Sequence, residues 1–300
     1  MKERTLWERL FWSPNYFTIA IRKKTTAEQP VWIRGTFQAD YVMSASREHW
    51  LADPILADDE GKTYLFFEAV HHGKGRIEVT ELNKDGIPSP SAIAVERDYH
   101  LSYPFVFRHN GEWYMIPESC AIHEVQLLKA VRFPYEWRYV TTLLHAHAVD
   151  TTVHRIGEKL LMLTFLPQSG SERVTPRAFW VHWEEDRTIQ LEELSWPTFD
   201  SLLVRGAGKI IGAESADIRP SQINGETSYG DGVLFSKIQV SDSAYREEPI
   251  GKVEAGSLNI RGLKADGLHT YAVSEQFEVI DVRCHLPDPL KIFRRILGPV

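Results

Sequence analysis

The chain has 300 residues, of which 43% are hydrophobic, and this length allows one folded unit to bury roughly three quarters of its unfolded surface. The formal net charge is −7, with 34 basic residues scattered among 41 acidic ones, which excludes a basic nucleic-acid surface and favours a neutral or sugar-like ligand. Two cysteines, Cys120 and Cys284, are too few for a disulfide framework and are expected to be free thiols.

The two ends of the chain differ from the rest. Residues 1–34 are predicted to form an extension with a short helix and a strand, and residues 287–300 an amphipathic tail. The amino terminus lacks the apolar run of a secretory signal, and no stretch approaches the roughly eighteen apolar residues of a membrane span. We therefore expect a cytoplasmic protein. Its tails would either pack on the folded core or contact the inner face of a membrane or a partner glycosyltransferase.

Between these ends, a pattern of about fifty residues recurs five times. Each repeat reaches a turn glycine seven or eight residues after its start and continues into an apolar strand. The repeats start at Asp53, Tyr103, Asp150, Asp200 and Asn259. A fixed period of this length, with short strands and no helical spacing, is typical of a propeller. We predict an all-β fold, a five-bladed β-propeller over residues 35–286 with short helical terminal extensions.

The outer strands of the blades are predicted from short runs of β-branched and aromatic residues. These runs cover residues 75–82, 124–131, 136–145, 177–185 and 230–240. The fifth repeat is shorter and ends in a strand-like segment at 277–286. We expect either 15–22 or 36–44 to complete the last blade from the other end of the chain, because ring closure removes exposed sheet edges.

Acidic residues recur where a propeller gathers its strands at one end of the central channel. They are Asp53, Asp150 and Asp200 at the repeat starts, and Glu68, Glu118 and Glu214 at the ends of the strands that follow. The second strand of a hairpin returns to the end where the first began, so both sets are expected at one mouth. Cleavage of a glycosidic bond uses one protonated and one ionised carboxyl group, which a third acid can orient. Alternatively, the aspartates cap turns and the glutamates are solvated rim charges.

Other polar side chains are predicted to surround the channel and bind substrate. With Glu68 and Glu214, they are His100, Tyr103, Arg219, Gln222 and Tyr229. Guanidinium, amide and aromatic groups together can clamp sugar hydroxyls or a phosphate, although packing within loops is an equal alternative. His269 is more typical of a satisfied core histidine. No histidine spacing predicts a metal site, and a structural ion in the central channel is left open.

Several motifs resemble a known family. WLADPIL, YLFFE, HLSYPFVF, WYMIPES, VDTT and RPSQ with a later YG are similar to the amino-terminal domain of plant glucosamine inositolphosphorylceramide transferases and its stand-alone bacterial relatives. That group is related to the five-bladed propellers of glycoside hydrolase families 43 and 32, and the resemblance covers about residues 35–285.

The resemblance implies a carbohydrate-active fold. By motif, Asp53 matches the base of the hydrolases and Asp150 their orienting acid. Their acid is a glutamate on the fourth blade, where this chain has TFDS instead. Asp200, Glu214 or Glu118 would therefore have to act as the acid. In the plant proteins a separate glycosyltransferase domain accompanies the propeller.

Two functions remain open from the sequence. The first is an intracellular enzyme acting on a glycosidic bond of a sugar, nucleotide-sugar or glycolipid substrate, with Asp53 as base, Asp150 orienting its partner and Glu118 as the leading acid. The second is a non-catalytic glycan or nucleotide-sugar binding module that serves a partner glycosyltransferase. A scaffold whose channel is only packed core is a weaker third reading.

Overall fold

The structure is a computed structural model, and it describes residues 16–25, 29–46, 48–168, 174–184, 188–195, 204–213, 216–224, 229–260, 263 and 265–284. The helix predicted near the amino terminus, at residues 6–12, and the amphipathic tail at 287–300 lie outside these ranges. Within them, no helix has the length and apolar character needed to cross a membrane. The elements, in chain order, are β1 (Tyr16–Lys23), α1 (Val31–Arg34), β2 (Phe37–Gln38), β3 (Tyr41–Val42), β4 (His49–Asp59), β5 (Lys62–His71), β6 (Lys74–Leu82), β7 (Ala92–Val95), β8 (Ser102–His109), β9 (Glu112–Ser119), β10 (Glu124–Arg132), β11 (Glu136–His145), β12 (Val149–Ile156), β13 (Lys159–Pro167), β14 (Val174–Trp183), β15 (Ile189–Glu193), β16 (Ile211–Ala213), β17 (Ala216–Ile223), β18 (Gly232–Val240), β19 (Tyr245–Glu254), β20 (Leu258–Asn259), β21 (Ala265–Gly267), β22 (Tyr271–Val273) and β23 (Phe277–Cys284).

The sheets follow one another along the chain as propeller blades. The first blade is β4 to β7, the second β8 to β11, the third β12 to β15 and the fourth β16 to β19, each an antiparallel meander. The fifth joins β21, β22 and β23 to β1 and β3. The predicted all-β, five-bladed propeller is therefore confirmed, as are the predicted outer strands.

The ring closes between the two ends of the chain. Strand β1 pairs antiparallel with β23 over its whole length, from Tyr16 opposite Cys284 to Lys23 opposite Phe277. Strand β3 adds to the outer side of β1, and β2 pairs in parallel with β20. Both segments that were candidates to complete the last blade therefore take part in the closure, which pairs sheet edges that would otherwise be exposed.

Apolar side chains fill the spaces between blades, and strand alternation explains how. Along β5, Leu65 and Phe67 pack toward the fifth blade, whereas Phe66 points the other way, toward the second. All three are almost fully buried. An inner strand of this propeller is buried on both faces, which is why the repeat reads as a continuous apolar run.

A close backbone approach at Gly251 holds α1 against the fourth blade. A methyl group at this position would lie 1.9 Å from the carbonyl oxygen of Trp32, whose ring packs 5.6 Å from that of Phe235. We expect Gly251→Ala to lower the free energy of unfolding by about 1–3 kcal/mol, because the helix must move. Urea denaturation measures this loss. Gly256→Ala is the matched control, since no described atom lies within 4 Å of its added methyl, and equal losses in both variants would contradict the expectation.

Candidate functional site

A β-bulge interrupts the first strand of each of the first three blades at an equivalent place. Regular pairing skips from Ala52 to Ile55, from Ser102 to Phe105 and from Val149 to Thr152. The first residue within each interruption has a positive φ: 52° at Asp53, 39° at Tyr103 and 50° at Asp150. Non-glycine residues rarely adopt this backbone, and it clusters at functional sites. Bulges also re-aim side chains, and here they direct three of them at other blades.

The bulge amides form a chain of hydrogen bonds around the mouth of the channel. The amide of Asp53 donates to Asp281 Oδ2 (3.1 Å), that of Tyr103 to Asp53 Oδ2 (3.1 Å) and that of Asp150 to Glu118 Oε2 (3.2 Å). These bonds link the fifth blade to the first, the first to the second and the second to the third. The structure thus brings Asp53, Glu118 and Asp150 to one place, as the repeat register predicts.

Asp53 belongs to a buried pair of carboxylates bridged by a histidine. His269 Nε2 lies 3.2 Å from Asp53 Oδ1, and its Nδ1 lies 2.8 Å from Asp281 Oδ2. Burial alone would lower the pKa of His269, but the Asp281 and Asp53 carboxylates raise it to about 10. Burial would also raise the pKa of Asp53, but hydrogen bonds from His269, the Thr270 hydroxyl and the Tyr103 amide hold it below its usual value. His269 is therefore an imidazolium at the mouth, a role its sequence context does not reveal.

The side chains of Asp53, His269 and Asp281 are placed where they could hold the structural metal ion that the sequence left open for the channel. Asp53, His269 and Asp281 each offer one ligand atom, and these atoms lie within 4.8 Å of one another. However, both His269 nitrogens face carboxylates, and Asp281 Oδ1 already accepts the amides of His269 and Thr270, each at 2.9 Å. The protonated imidazole supplies the positive charge that an ion would bring. The channel ion stays a prediction.

Asp150 is held by Arg205, a residue that sequence patterns do not single out. Arg205 donates from Nε to Asp150 Oδ2 (2.6 Å) and from Nη2 to Oδ1 (3.1 Å), a bidentate pair. Gln222 Nε2 donates to the same carboxylate (3.3 Å), and the Tyr229 ring lies 5.3 Å from the guanidinium. Gln222 and Tyr229, both predicted binding residues, are therefore at the mouth beside Asp150.

Glu118 is poised to carry a proton. Only 10% of its side chain is exposed; Oε2 accepts the Asp150 amide, and Oε1 accepts the Cys120 thiol at 3.3 Å. Burial first, and the Asp150 charge second, raise the pKa of Glu118 to about 7, although Arg205 Nη2 lies 3.9 Å away. Glu118 is therefore a carboxyl group that gains and loses a proton near neutral pH.

Glu68 is a second carboxyl group of this kind. Glu68 Oε1 lies 2.9 Å from His100 Nε2. The amide of Gly75 donates a hydrogen bond to His100 Nδ1 at 3.0 Å. A nitrogen that accepts an amide carries no proton, so the network assigns His100 the neutral form with the hydrogen on Nε2. Burial, with the Asp53 charge as a further cause, raises the pKa of Glu68 to about 7, although the His100 hydrogen bond acts in the opposite direction.

The side chains of two predicted binding residues, Tyr103 and Arg219, make their hydrogen bonds within the protein. The Tyr103 hydroxyl donates to the Gly208 carbonyl (3.2 Å) and accepts the Gly208 amide (3.0 Å), which ties the second blade to the fourth. Arg219 is buried and donates to Glu247 Oε1 at 2.8 Å. Neither is available to clamp a sugar in this arrangement. Asp200 and Glu214, predicted as a catalytic and a binding residue, lie outside the described residues.

Comparison with known proteins establishes the family. Residues 18–257 match the family described as Glucosamine inositolphosphorylceramide transferase 1, N-terminal. The chain belongs to this family. Glucosamine inositolphosphorylceramide transferase 1 of Arabidopsis thaliana is 32% identical over 217 residues, which cover 70% of this chain and 28% of the plant protein. The chain thus spans little more than a quarter of that relative's length, and the resemblance predicted from its motifs is confirmed.

Solved structures support the fold of this family domain. The β-1,2-mannobiose phosphorylase of Listeria innocua superposes with a TM-score of 0.57 at 8% identity, covering 93% of this chain and 99% of that one. The catalytic domain of a GH62 α-L-arabinofuranosidase from Coprinopsis cinerea gives 0.55 at 11% identity, covering 88% and 97%. At these identities the likeness shows a shared propeller fold.

The raised pKa of Glu118 has a consequence for the stability of this domain. Between its ordinary value of 4.5 and about 7, the folded chain holds a proton that the unfolded chain has released, so wild-type stability falls as pH rises through this window. Glutamine mimics the protonated group. We expect Glu118→Gln to raise the free energy of unfolding at about pH 8 by an amount on the order of 1–3 kcal/mol.

Thermal and urea unfolding from pH 4.5 to about pH 8 measure this effect, and the gain should vanish at the acid end. Glu158→Gln, at an exposed turn, controls for the loss of one negative charge. A Glu118→Gln protein that is no more stable than this control at the alkaline end would show that Glu118 is ionised there without cost.

Proposed function

We propose that this domain binds a sugar-containing substrate at the propeller mouth and acts on its glycosidic bond, by transfer or hydrolysis, in the assembly of a glycan or glycolipid. One observation carries the proposal. The mouth holds carboxyl groups whose pKa values are shifted in opposite directions, with that of Asp53 lowered and that of Glu118 raised to about 7. Chemistry at a glycosidic bond needs one group of each kind.

In this mechanism Glu118 is the general acid. As the bond between the anomeric carbon and the leaving oxygen breaks, the proton of Glu118 passes to that oxygen, which leaves as a hydroxyl group. Asp53 stays ionised and stabilises the positive charge that develops on the sugar ring. Its lowered pKa makes it a weak base, so its main role is to position the incoming hydroxyl group, whose oxygen bonds to the anomeric carbon and whose proton passes to solvent. Glu118, left as a carboxylate, is reprotonated from solvent.

The family name supports a sugar-transfer context. The Arabidopsis relative is named for transfer to inositolphosphorylceramide, and this chain covers 28% of it. We assign that whole activity to the longer protein and to this domain the handling of the sugar. The mannobiose phosphorylase and the arabinofuranosidase, both named for sugar substrates, have the same propeller fold, which is consistent with this assignment.

A second candidate function is binding without catalysis, and a specific observation favours it. The carboxylates of Asp53 and Asp150 are held by protein donors, namely His269 and Thr270 for the first and Arg205 for the second. Groups held this firmly can shape a pocket without reacting. In this case the domain would present a sugar to a partner glycosyltransferase.

One experiment separates the two candidates. The purified chain is incubated with nucleotide sugars and aryl glycosides, with and without inositolphosphorylceramide, and binding is read by thermal shift and products by mass spectrometry. Binding with product formation supports catalysis, and binding without product supports the recognition module. A panel in which no sugar compound shifts the unfolding temperature contradicts both.

A further inference from the structure

Two histidines and a glutamate converge on the first blade, apart from the mouth carboxylates. His49 begins β4, His71 ends β5, and the two are directly opposite each other in the strand register. Their rings stack with centroids 4.1 Å apart and planes 24° apart. Glu78 of β6 places Oε1 3.4 Å from His71 Nε2. One ligand atom from each of the three lies within 4.8 Å of the others.

One ring nitrogen of His49 has no hydrogen-bond partner in this cluster. Its Nε2 is shielded from solvent and has no hydrogen-bond partner among the described residues. A buried polar nitrogen without a partner is costly, and each such case calls for a physical reason. This nitrogen can therefore serve as a ligand to a cation that enters the cluster.

We propose that His49, His71 and Glu78 form a binding site for a divalent transition-metal ion, with Zn²⁺ as the best match. Two imidazole nitrogens and one carboxylate are a donor set that zinc takes at sites with an open fourth position. About a third of the His71 side chain is exposed (35%), which leaves a path from solvent. This site is independent of the function proposed for the mouth.

Arg76 is the group with which an ion must compete. Its Nε and Nη2 both donate to Glu78 Oε1, at 2.9 and 2.6 Å, while the Ser91 hydroxyl donates to Oε2 at 2.6 Å. A metal ion on Oε1 replaces Arg76 there, and Arg76 retains its 3.4 Å contact with Glu96. Ser91 can stay in place and orient the carboxylate, as outer-shell donors do at metal sites. Arg76 therefore sets the affinity of the site.

The test is isothermal titration of the purified, tag-free chain with ZnCl₂ near neutral pH, together with the visible spectrum of the chain after addition of Co²⁺. We expect one ion per chain and a spectrum typical of tetrahedral cobalt. His71→Ala should weaken binding by at least about tenfold, and His49→Ala likewise. Arg76→Met should tighten binding several-fold, because it removes the competing cation. His72→Asn is the control, since it changes an exposed neighbouring histidine with φ of 49° to a residue that tolerates this backbone.

Each outcome decides the proposal. Absence of stoichiometric binding overturns it, and so does equal weakening by His71→Ala and His72→Asn. Tighter binding in Arg76→Met together with weaker binding in Glu78→Gln establishes Glu78 as the third ligand, whereas weaker binding in Arg76→Met overturns that assignment. The cobalt spectrum of the wild-type chain keeps the test valid even where a histidine variant folds poorly.

Discussion

His269→Ala is expected to lower the free energy of unfolding by about 3–5 kcal/mol, the range typical of removing one partner of a buried ion pair. The imidazolium lies between Asp53 and Asp281, at 3.2 and 2.8 Å. Without it, two buried carboxylates face each other with no cation between them. Urea denaturation near neutral pH measures the loss.

The matched control for this prediction is His182→Ala. His182 contacts Glu192 at 2.8 Å, but both side chains are largely exposed, so removing this pair should cost about 1 kcal/mol or less. Because the pKa of His269 in the folded chain is about 10, its contribution is full below its ordinary 6.5 and is lost as pH rises through about 10. A loss in His269→Ala no larger than in His182→Ala would mean that the bridge does not hold the mouth together.

Glu118→Gln is expected to reduce turnover of the true substrate by about 10²- to 10⁴-fold while sugar binding is retained. Glutamine keeps an oxygen to accept the Asp150 amide, so the pocket shape survives, but it carries no transferable proton. Single-turnover kinetics measures the chemical step. Glu112→Gln, an exposed position on the same strand, is the control and should leave turnover unchanged.

Asp53→Asn is a weaker test of catalysis than Glu118→Gln, although the sequence motif identifies Asp53 as the base. Asp53 accepts hydrogen bonds from Thr270 and the Tyr103 amide and contacts His269, so its replacement also disturbs the links between blades. Loss of turnover in that variant would mix chemistry with folding. Full activity in Glu118→Gln would contradict the assignment of Glu118 as the acid.

The fold was predictable because its signals are local. Turn glycines at fixed offsets mark the first hairpins of the first three blades, and continuous apolar runs mark the inner strands. The turn glycines predicted for the last two repeats, Gly208 and Gly267, were wrong, because those hairpins close between Ala213 and Ala216 and between Val273 and Glu278. The repeat register also placed Asp53, Glu118 and Asp150 together, since equivalent positions of a ring meet at the same end. The choice between the two closing segments was not predictable, and both take part because β1 pairs with β23 on one side and with β3 on the other.

The rest of the site depends on contacts that no local pattern encodes. Arg205 reaches Asp150 from 55 residues away, and Thr270 reaches Asp53 from 217 residues away. Arg219, which was predicted to bind substrate beside Gln222, lies on the opposite face of the strand from Gln222. Residues three apart on a strand point to opposite faces, so Gln222 reaches the mouth while Arg219 turns to Glu247.

The protonation of the mouth can be measured directly by carbon-13 NMR of a chain labelled at the glutamate carboxyl carbons, titrated through the neutral range with Glu118→Gln and Glu68→Gln used for assignment. The result expected is two resonances that titrate near pH 7 and disappear one by one in the two variants. If every glutamate resonance instead titrates near the ordinary value of 4.5, the mouth holds no proton donor at neutral pH and the proposed acid chemistry is contradicted.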